Sequence, residues 1–139
     1  TPPDYVVEPS DKKFTSDQNL YNIQARIIRE MAKTESFIVI GKCADYILKD
    51  RTNVISVYIE APRRECVESI VRKMNVSEAR ANELIQKTDK YRADYYKYYT
   101  GGNYWTNPVN YDLTLNSARV GREKCIEVIR DYLQIKFGI

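Results

Sequence analysis

The spacing of apolar residues predicts a helix near each end of the chain. After Ser16 or Asp17, either of which can cap a helix, an apolar stripe advances in steps of three and four residues. Its members are Leu20, Ile23, Ile27 and Met31. Asn116 or Ser117 caps the last predicted helix in the same way. The face of that helix expected to be buried is formed by Cys125, Val128, Ile129, Tyr132 and Leu133.

Three apolar, β-branched or aromatic runs between these helices predict strands, at 37–40, 54–59 and 111–115. The first run contains no polar residue and ends at Gly41, which is typical of a strand buried on both faces of a parallel sheet. The helices predicted between the runs are 43–49, Pro62 to about Met74, and Ser77 to Tyr99. This alternation favours an α/β fold in which helices cover a parallel sheet.

Length and composition indicate one globular domain without histidine chemistry. The 139 residues are 43% hydrophobic and 29% charged, and 22 Lys+Arg against 19 Asp+Glu give a net charge of +3. This charge suits an anionic small ligand and is far below that of a dedicated nucleic-acid binder. The absence of histidine excludes His-containing triads, bases and zinc sites. The three cysteines are widely spaced, so we expect no metal site and a reducing compartment.

Residues 1–15 are polar and rich in proline, and we interpret them as an arm or linker before a domain over 16–139. No apolar run has the length of a membrane span, and the start of the sequence lacks the apolar core of a signal peptide. We therefore expect a cytoplasmic protein that does not act at a membrane.

The residues that follow run 37–40 are the first candidates for chemistry. Ligands of open α/β sheets bind beyond the carboxyl ends of parallel strands, and Lys42 follows Gly41 at such an end. The lysine could meet a phosphate as a point charge, or it could be a solvated side chain beside a turn. Asp45 could orient that lysine or a sugar hydroxyl, or it could interact with the first turn of the short helix.

The stretch 87–97 interleaves charged side chains with tyrosines. Helical spacing places Asp89 one turn from Arg92, the only arginine of the stretch. Such a helix could close over a triphosphate, with Arg92 binding its oxygens through a planar fork. The alternative is an exposed charged helix whose tyrosines pack on the domain. Basic and aromatic residues could also stack single-stranded RNA, but no recognised RNA-binding motif accompanies them.

Asn116 and Ser117 are the last candidates, at the junction of the third strand and the last helix. Their side chains could read the edge of a purine, or they could cap the helix, which is the more frequent role of these residue types. Asp112 lies at the start of the same strand, and we assign it no chemistry.

Taken in order, four segments of the chain resemble the cytidylate kinase-like family, bacterial P-loop proteins related to nucleoside monophosphate kinases. The segments are 37–48, 57–62, 87–101 and 111–117, and the resemblance extends from about Gln24 to Leu133. It implies a three-layer P-loop kinase-like fold with a five-stranded parallel sheet flanked by helices. It also implies a mobile lid, which here corresponds to the helix at about 77–100.

The activity implied by this resemblance is transfer of the ATP γ-phosphoryl group to a nucleoside monophosphate such as CMP, with Mg²⁺. Lys42 then stands where the family usually has an arginine that contacts the acceptor phosphate. Asp45, or its neighbour Cys43, stands where cytidylate kinases carry an acidic substrate contact. Asp89 and Arg92 fall in the lid helix, as a substrate-binding and a catalytic, nucleotide-binding residue.

The same resemblance places Asn116 and Ser117 in the loop that passes the adenine of ATP in related kinases. Lys42 and Arg92 are therefore the candidate catalytic residues. Lys42, Asp45 and Asp89 would bind the acceptor. No metal ligand is predicted.

One part of the family pattern has no counterpart in the sequence. The 139 residues contain no glycine-rich loop ending in Gly-Lys-Ser/Thr, and the family's first strand, which lies between the strands corresponding to 37–40 and 54–60, is missing. We therefore expect the later portion of a longer chain, incomplete at its N-terminal side, or a homodimer that fills the gap. These residues would be inactive alone. The alternative function is a non-catalytic nucleotide-binding or self-association module on a kinase-like scaffold.

Overall fold

A computed structural model describes residues 5–139, so the first four residues of the predicted arm lie outside the described residues. The helices and strands, in chain order, are α1 (Asp17–Thr34), α2 (Ala44–Ile47), β1 (Val57–Glu60), α3 (Arg63–Met74), α4 (Glu78–Tyr99), β2 (Leu113–Asn116), α5 (Ser117–Val120) and α6 (Arg122–Phe137). A single 3₁₀ turn, Pro108–Asn110, precedes β2. This order confirms a mixed α/β chain.

The sheet formed by the described residues has two parallel strands. Val57 lies opposite Leu113, and the register continues to Glu60 opposite Asn116. Parallel strands need a long crossover, which α3 and α4 provide between them. The structure confirms the predicted parallel sheet flanked by helices, at this coarser level.

The prediction of a strand at 37–40 is wrong. These residues form no ladder with any other part of the chain between residues 5 and 139. Phe37 and Val39 pack against the core, whereas Ile38 is 92% and Ile40 88% exposed. A strand is defined by a partner that takes up its backbone N–H and C=O groups. With no partner beside it, the segment does not become buried on both faces.

Helix α1 begins where it was predicted, but it packs through a different stripe. Ser16 Oγ accepts a hydrogen bond from Asn19 N at 3.2 Å and caps the helix. In the stripe from which the helix was predicted, Leu20 is 48% and Ile27 52% exposed. The stripe that is buried consists of Tyr21, Ala25, Ile28 and Ala32. Its two alanines let α2 approach closely.

The core lies between α1, α2 and the C-terminal part of α4. Its buried members are Tyr21, Ala25, Ile28, Ala32, Cys43, Ala44, Ile47, Leu48 and Tyr96. The ring of Tyr21 stacks on that of Tyr99, with centroids 4.0 Å apart. This contact joins the first helix to the predicted lid helix.

The part of the arm that the structure describes is fixed to α1 by two buried asparagines. Asn19 Oδ1 accepts a hydrogen bond from Val7 N at 2.8 Å, and Asn19 Nδ2 donates to Phe14 O at 2.7 Å. Asn22 Nδ2 donates to Tyr5 O at 2.9 Å. These bonds hold residues 5–14 against the start of the helix.

The predicted last helix is divided in two. Asn116 Oδ1 accepts from Ala118 N and Arg119 N, both at 3.1 Å, and caps the four-residue α5. Gly121, with φ of 94°, then ends α5 and begins α6. A left-handed φ of this kind suits glycine and interrupts the helical ladder. On α6 Cys125 is buried, and the other predicted face residues are half-buried.

Candidate functional site

The predicted acceptor lysine lies in a turn with three consecutive left-handed residues. Gly41, Lys42 and Cys43 have φ angles of 70°, 61° and 55°. Two of these are not glycine, and such conformations cost free energy unless the surrounding structure holds them. Lys42 is exposed, and its side chain makes no hydrogen bond or ion pair with any residue from 5 to 139. Cys43 is buried beneath it, and burial raises the pKa of its thiol to about 12.

Asp45 is held by the predicted lid helix. Tyr96 Oη, in the C-terminal part of α4, donates a hydrogen bond to Asp45 Oδ2 at 2.7 Å. Tyr96 is only 5% exposed, and burial, followed by this hydrogen bond, raises its pKa. The contact fixes one carboxylate oxygen. In the described part of the chain Oδ1 of the same carboxylate accepts no hydrogen bond, so it is open to a ligand.

Three rings, Tyr58, Trp105 and Tyr111, form a cluster that we call the aromatic group. Tyr58 meets Trp105 edge-on, with centroids 5.6 Å apart, and stacks on Tyr111 at 5.2 Å. Tyr111 Oη donates to the backbone oxygen of Trp105 at 2.6 Å. The group therefore joins β1, the loop after α4 and Tyr111, two residues before β2.

One predicted site residue, Arg92, contacts the aromatic group, and two others, Asp45 and Asp89, influence its tyrosines through their charge. The Arg92 guanidinium carbon is 5.8 Å from the centroid of the Trp105 ring. Burial raises the pKa of Tyr58, the carboxylates of Glu60 and then Asp89 raise it further, and Arg92 opposes the shift. Burial, and next the charge of Asp45, raise the pKa of Tyr111. Arg92 therefore contacts the aromatic group, and the charges of Asp89, on the same helix, and of Asp45, distant in sequence, act on two of its tyrosines.

The ion pairs on α4 differ from those that the sequence offered. Asp89 and Arg92 form no ion pair, whereas Lys90 Nζ lies 2.6 Å from Asp94 Oδ2. Lys97 Nζ lies 5.4 Å from the centroid of the Tyr104 ring. Among the residues that the structure describes, Arg92 and Lys97 have no carboxylate partner, and each faces an aromatic ring instead.

Asn116 and Ser117 lie at the carboxyl ends of the two strands, apart from the other candidates. Asn116 caps α5, and Ser117 Oγ donates to Glu60 O at 3.4 Å. Within residues 5–139 no hydrogen bond or ring contact joins this pair to Asp45, Asp89 or Arg92.

Sequence reasoning missed the aromatic group. The signal that could have found it is Trp105, the only tryptophan of the chain, in a loop that connects the basic helix to the last strand.

A concave region of about 720 Å³ lies between α3 and α4. Its lining residues are Arg63, Arg64, Val67, Glu68, Val71, Arg72, Glu78 and Asn82. It is open, it mixes both signs of charge, and it contains none of the predicted site residues. We therefore place the candidate site at the aromatic group rather than in this open region.

The side chains of the candidate site fit phosphate groups better than they fit a metal ion. An arginine without a carboxylate partner and an exposed lysine are donors that recur in phosphate sites. Within residues 5–139 no three His, Cys, Asp or Glu side chains come together in a way that could hold a metal ion. In the same part of the chain no helix is long and apolar enough to span a membrane.

Comparison with known proteins yields a similar solved structure and a matching family. The chain is similar to a crystal structure of an uncharacterized protein from Eubacterium ventriosum ATCC 27560, with a TM-score of 0.81 and 28% sequence identity. That similarity covers 87% of this chain and 68% of the other. No curated protein matches the chain. The cytidylate kinase-like family matches residues 4–119. Since that match spans most of the 139 residues, the chain belongs to the cytidylate kinase-like family.

Proposed function

We propose that the full-length protein transfers the γ-phosphoryl group of ATP to a nucleoside monophosphate such as CMP, in the cytoplasm. Family membership over residues 4–119 supports a kinase-like scaffold. The observation that carries the proposal is the position of Arg92, which has no carboxylate partner among the described residues and lies 5.8 Å from the centroid of the Trp105 ring. Phosphoryl transfer depends mainly on positioning and charge stabilisation, which these groups provide.

The role proposed for each side chain follows from those of its donor or acceptor atoms that have no partner within the described residues. Arg92 binds phosphate oxygens through its planar fork, and it is the candidate for stabilising charge on the transferred group. Lys42 meets the acceptor phosphate as a point charge, since its ammonium group is exposed in a turn. Asp45 offers Oδ1 to the acceptor while Tyr96 holds Oδ2. Asp89, one turn from Arg92, completes the acceptor side.

Asn116 and Ser117 belong to the purine side of this proposal. Asn116 Oδ1 is occupied by two backbone N–H groups, which leaves its amide nitrogen to meet an adenine.

ATP supplies the phosphoryl group, and family members generally use it together with Mg²⁺. Mg²⁺ favours oxygen ligands and keeps water or phosphate oxygens in its shell. The described residues form no cluster of three potential metal ligands, so we assign them no metal contact. We propose that the glycine-rich phosphate cradle lies outside these 139 residues, because their sequence contains none.

The test is Lys42→Ala in the full-length protein. We expect KM for CMP to rise about tenfold, the loss of one charge-assisted phosphate contact of about 1.4 kcal/mol, while KM for ATP changes little. Lys12→Ala, which removes the same charge from an exposed position in the arm, is the matched control. An unchanged KM for CMP would refute the assigned role of Lys42.

A non-catalytic module is the second candidate, and the two isoleucines of segment 37–40 favour it. Ile38 and Ile40 are 92% and 88% exposed, a surface that suits self-association. Calorimetry distinguishes the two candidates. Binding of both ATP and CMP supports the kinase, and binding of neither supports the module.

A further inference from the structure

The loop that follows α4 holds its aromatic residues in fixed positions. Thr100 Oγ1 donates to Tyr96 O at 2.6 Å and accepts from Asn103 N at 3.1 Å. Further along the loop, Asn110 Nδ2 donates to Tyr104 O at 2.7 Å. Tyr111 Oη fixes the backbone of the next residue, Trp105, as described above. The loop therefore presents two neighbouring rings at defined positions relative to α4.

These two rings face the two cations of the C-terminal half of α4 that have no carboxylate partner. Arg92 lies over Trp105 and Lys97 over Tyr104. Lys90, the residue before Tyr91 on the same helix, instead forms an ion pair with Asp94. Arg92 is exposed, and carboxylates such as Asp89 are close on the helix, yet its guanidinium stays on the indole.

We propose that Trp105 is a positioning residue, which holds Arg92 on its ring until a phosphate-bearing ligand draws the guanidinium into an ion pair. This inference deepens the proposed function, on which it rests, by assigning a role to a residue of the loop. The contact between an exposed arginine and a ring is weak, whereas arginine binds phosphate through charge-assisted, bidentate hydrogen bonds. The guanidinium therefore binds the phosphate in preference to the ring. The ring limits the conformations that the free side chain must give up on binding, as preorganisation requires.

The chain offers a direct readout, because Trp105 is its only tryptophan. The experiment is a titration of the full-length protein with inorganic tripolyphosphate, with indole emission as the signal. Any tryptophan outside these 139 residues is first replaced by phenylalanine. We expect a saturable change in emission as Arg92 leaves the ring. In Arg92→Gln the starting emission should already resemble that of the saturated wild type, and the response should be lost.

Lys90→Gln is the matched control, since it removes one positive charge from the same helix two residues away. It should keep the response of the wild type, and Arg92→Lys should restore part of it. The proposal is overturned if tripolyphosphate leaves the emission of the wild type unchanged. It is also overturned if Arg92→Gln responds as Lys90→Gln does.

Variants of the ring test the positioning role itself. We expect Trp105→Leu to weaken tripolyphosphate binding, measured by calorimetry, about threefold, the size of one exposed cation–π contact. Trp105→Phe, which retains a ring, should bind like the wild type, and equal affinity of all three proteins would contradict a positioning role. These outcomes are separate from the kinase proposal. An emission response without CMP phosphorylation would leave the inference standing and remove the acceptor assignment.

Discussion

Asp112 ties three parts of the molecule together through one carboxylate. Its Oδ2 accepts from the backbone N–H of Ser56 at 2.7 Å and from the hydroxyl of Ser56 at 3.3 Å. Its Oδ1 accepts from Tyr132 Oη at 2.9 Å and from Lys136 Nζ at 3.1 Å. The residue therefore joins the start of β2 to the segment before β1 and to α6. We predict that Asp112→Asn destabilises the fold, because the amide turns one acceptor into a donor that faces other donors.

The expected size follows from the bonds and their exposure. Hydrogen bonds to a charged group contribute about 1.5–3 kcal/mol each when they are well shielded. The side chains of Asp112 and Lys136 are 24% and 33% exposed, so water replaces part of what the substitution removes. Bonds to one carboxylate are also not additive. We therefore expect a loss of about 2 kcal/mol in the free energy of unfolding for the whole substitution.

The penalty depends on pH with a definite sign. Partial burial raises the pKa of Asp112, but the hydrogen bonds from Ser56, Tyr132 and Lys136 outweigh it, and the net shift is downward. A carboxylate whose pKa is lowered by folding stabilises the protein above its unfolded pKa of about 3.9 and loses that effect as pH falls. The difference between wild type and Asp112→Asn should therefore be largest at neutral pH and shrink below about pH 4.

Urea unfolding of the full-length protein, followed by circular dichroism, measures this difference. With a urea dependence of about 1–3 kcal/mol per M, the midpoint should fall by about 1 M at neutral pH. Asp131→Asn is the matched control, because it removes the same charge from α6 at an exposed position without a hydrogen-bond partner in the described residues. Equal midpoints for the two variants would refute the reasoning, and so would a difference that persists undiminished in acid.

Two further predictions concern the packing around α1 and α2. Asn19→Ala removes two of the three hydrogen bonds that hold the arm, so we expect the free energy of unfolding to fall by about 2 kcal/mol. Trypsin should then cut sooner at Lys12 and Lys13, and unchanged protection in limited proteolysis would contradict this. Burial, and then the charge of Asp45, raise the pKa of the Cys43 thiol from 9.0 to about 12. The stabilisation that comes from keeping this thiol protonated is therefore complete below pH 9.0 and declines as pH rises towards 12. Cys43→Ala should therefore show a flatter decline in stability over that interval, and parallel curves for the two proteins would argue against it.

Local signals in the sequence predicted the helix ends well. Ser16 and Ser77 both cap their helices, because a side-chain oxygen and an N–H group three residues later suffice to form the contact. The sequence did not predict that the last helix is interrupted at Gly121, since an isolated glycine does not by itself break a helical pattern.

Features that depend on distant neighbours were not readable in this way. The apolar run 37–40 has the composition of a strand, but strand formation requires a partner that composition does not reveal. The candidate residues Asp45 and Arg92 were predicted from the resemblance and their positions in the chain. The rings on the Arg92 side, Tyr58 and Trp105, are brought together by the pairing of β1 with β2 and by the loop between α4 and β2.

In the proposed function α4 acts as a lid, and its attachments limit how it can move. Arg63 of α3 donates to the side-chain and backbone oxygens of Asn82 at 3.1 and 2.9 Å, near the start of α4. Near its end, Tyr96 is bonded to Asp45. A rigid swing of the whole helix would break the second attachment. Closure over a nucleotide would therefore require α3 and α4 to rotate together as one rigid body, with the pivot at Tyr96. Arg92 lies one turn from that pivot and would therefore move only a short distance. The start of α4, which is far from the pivot, would move much further.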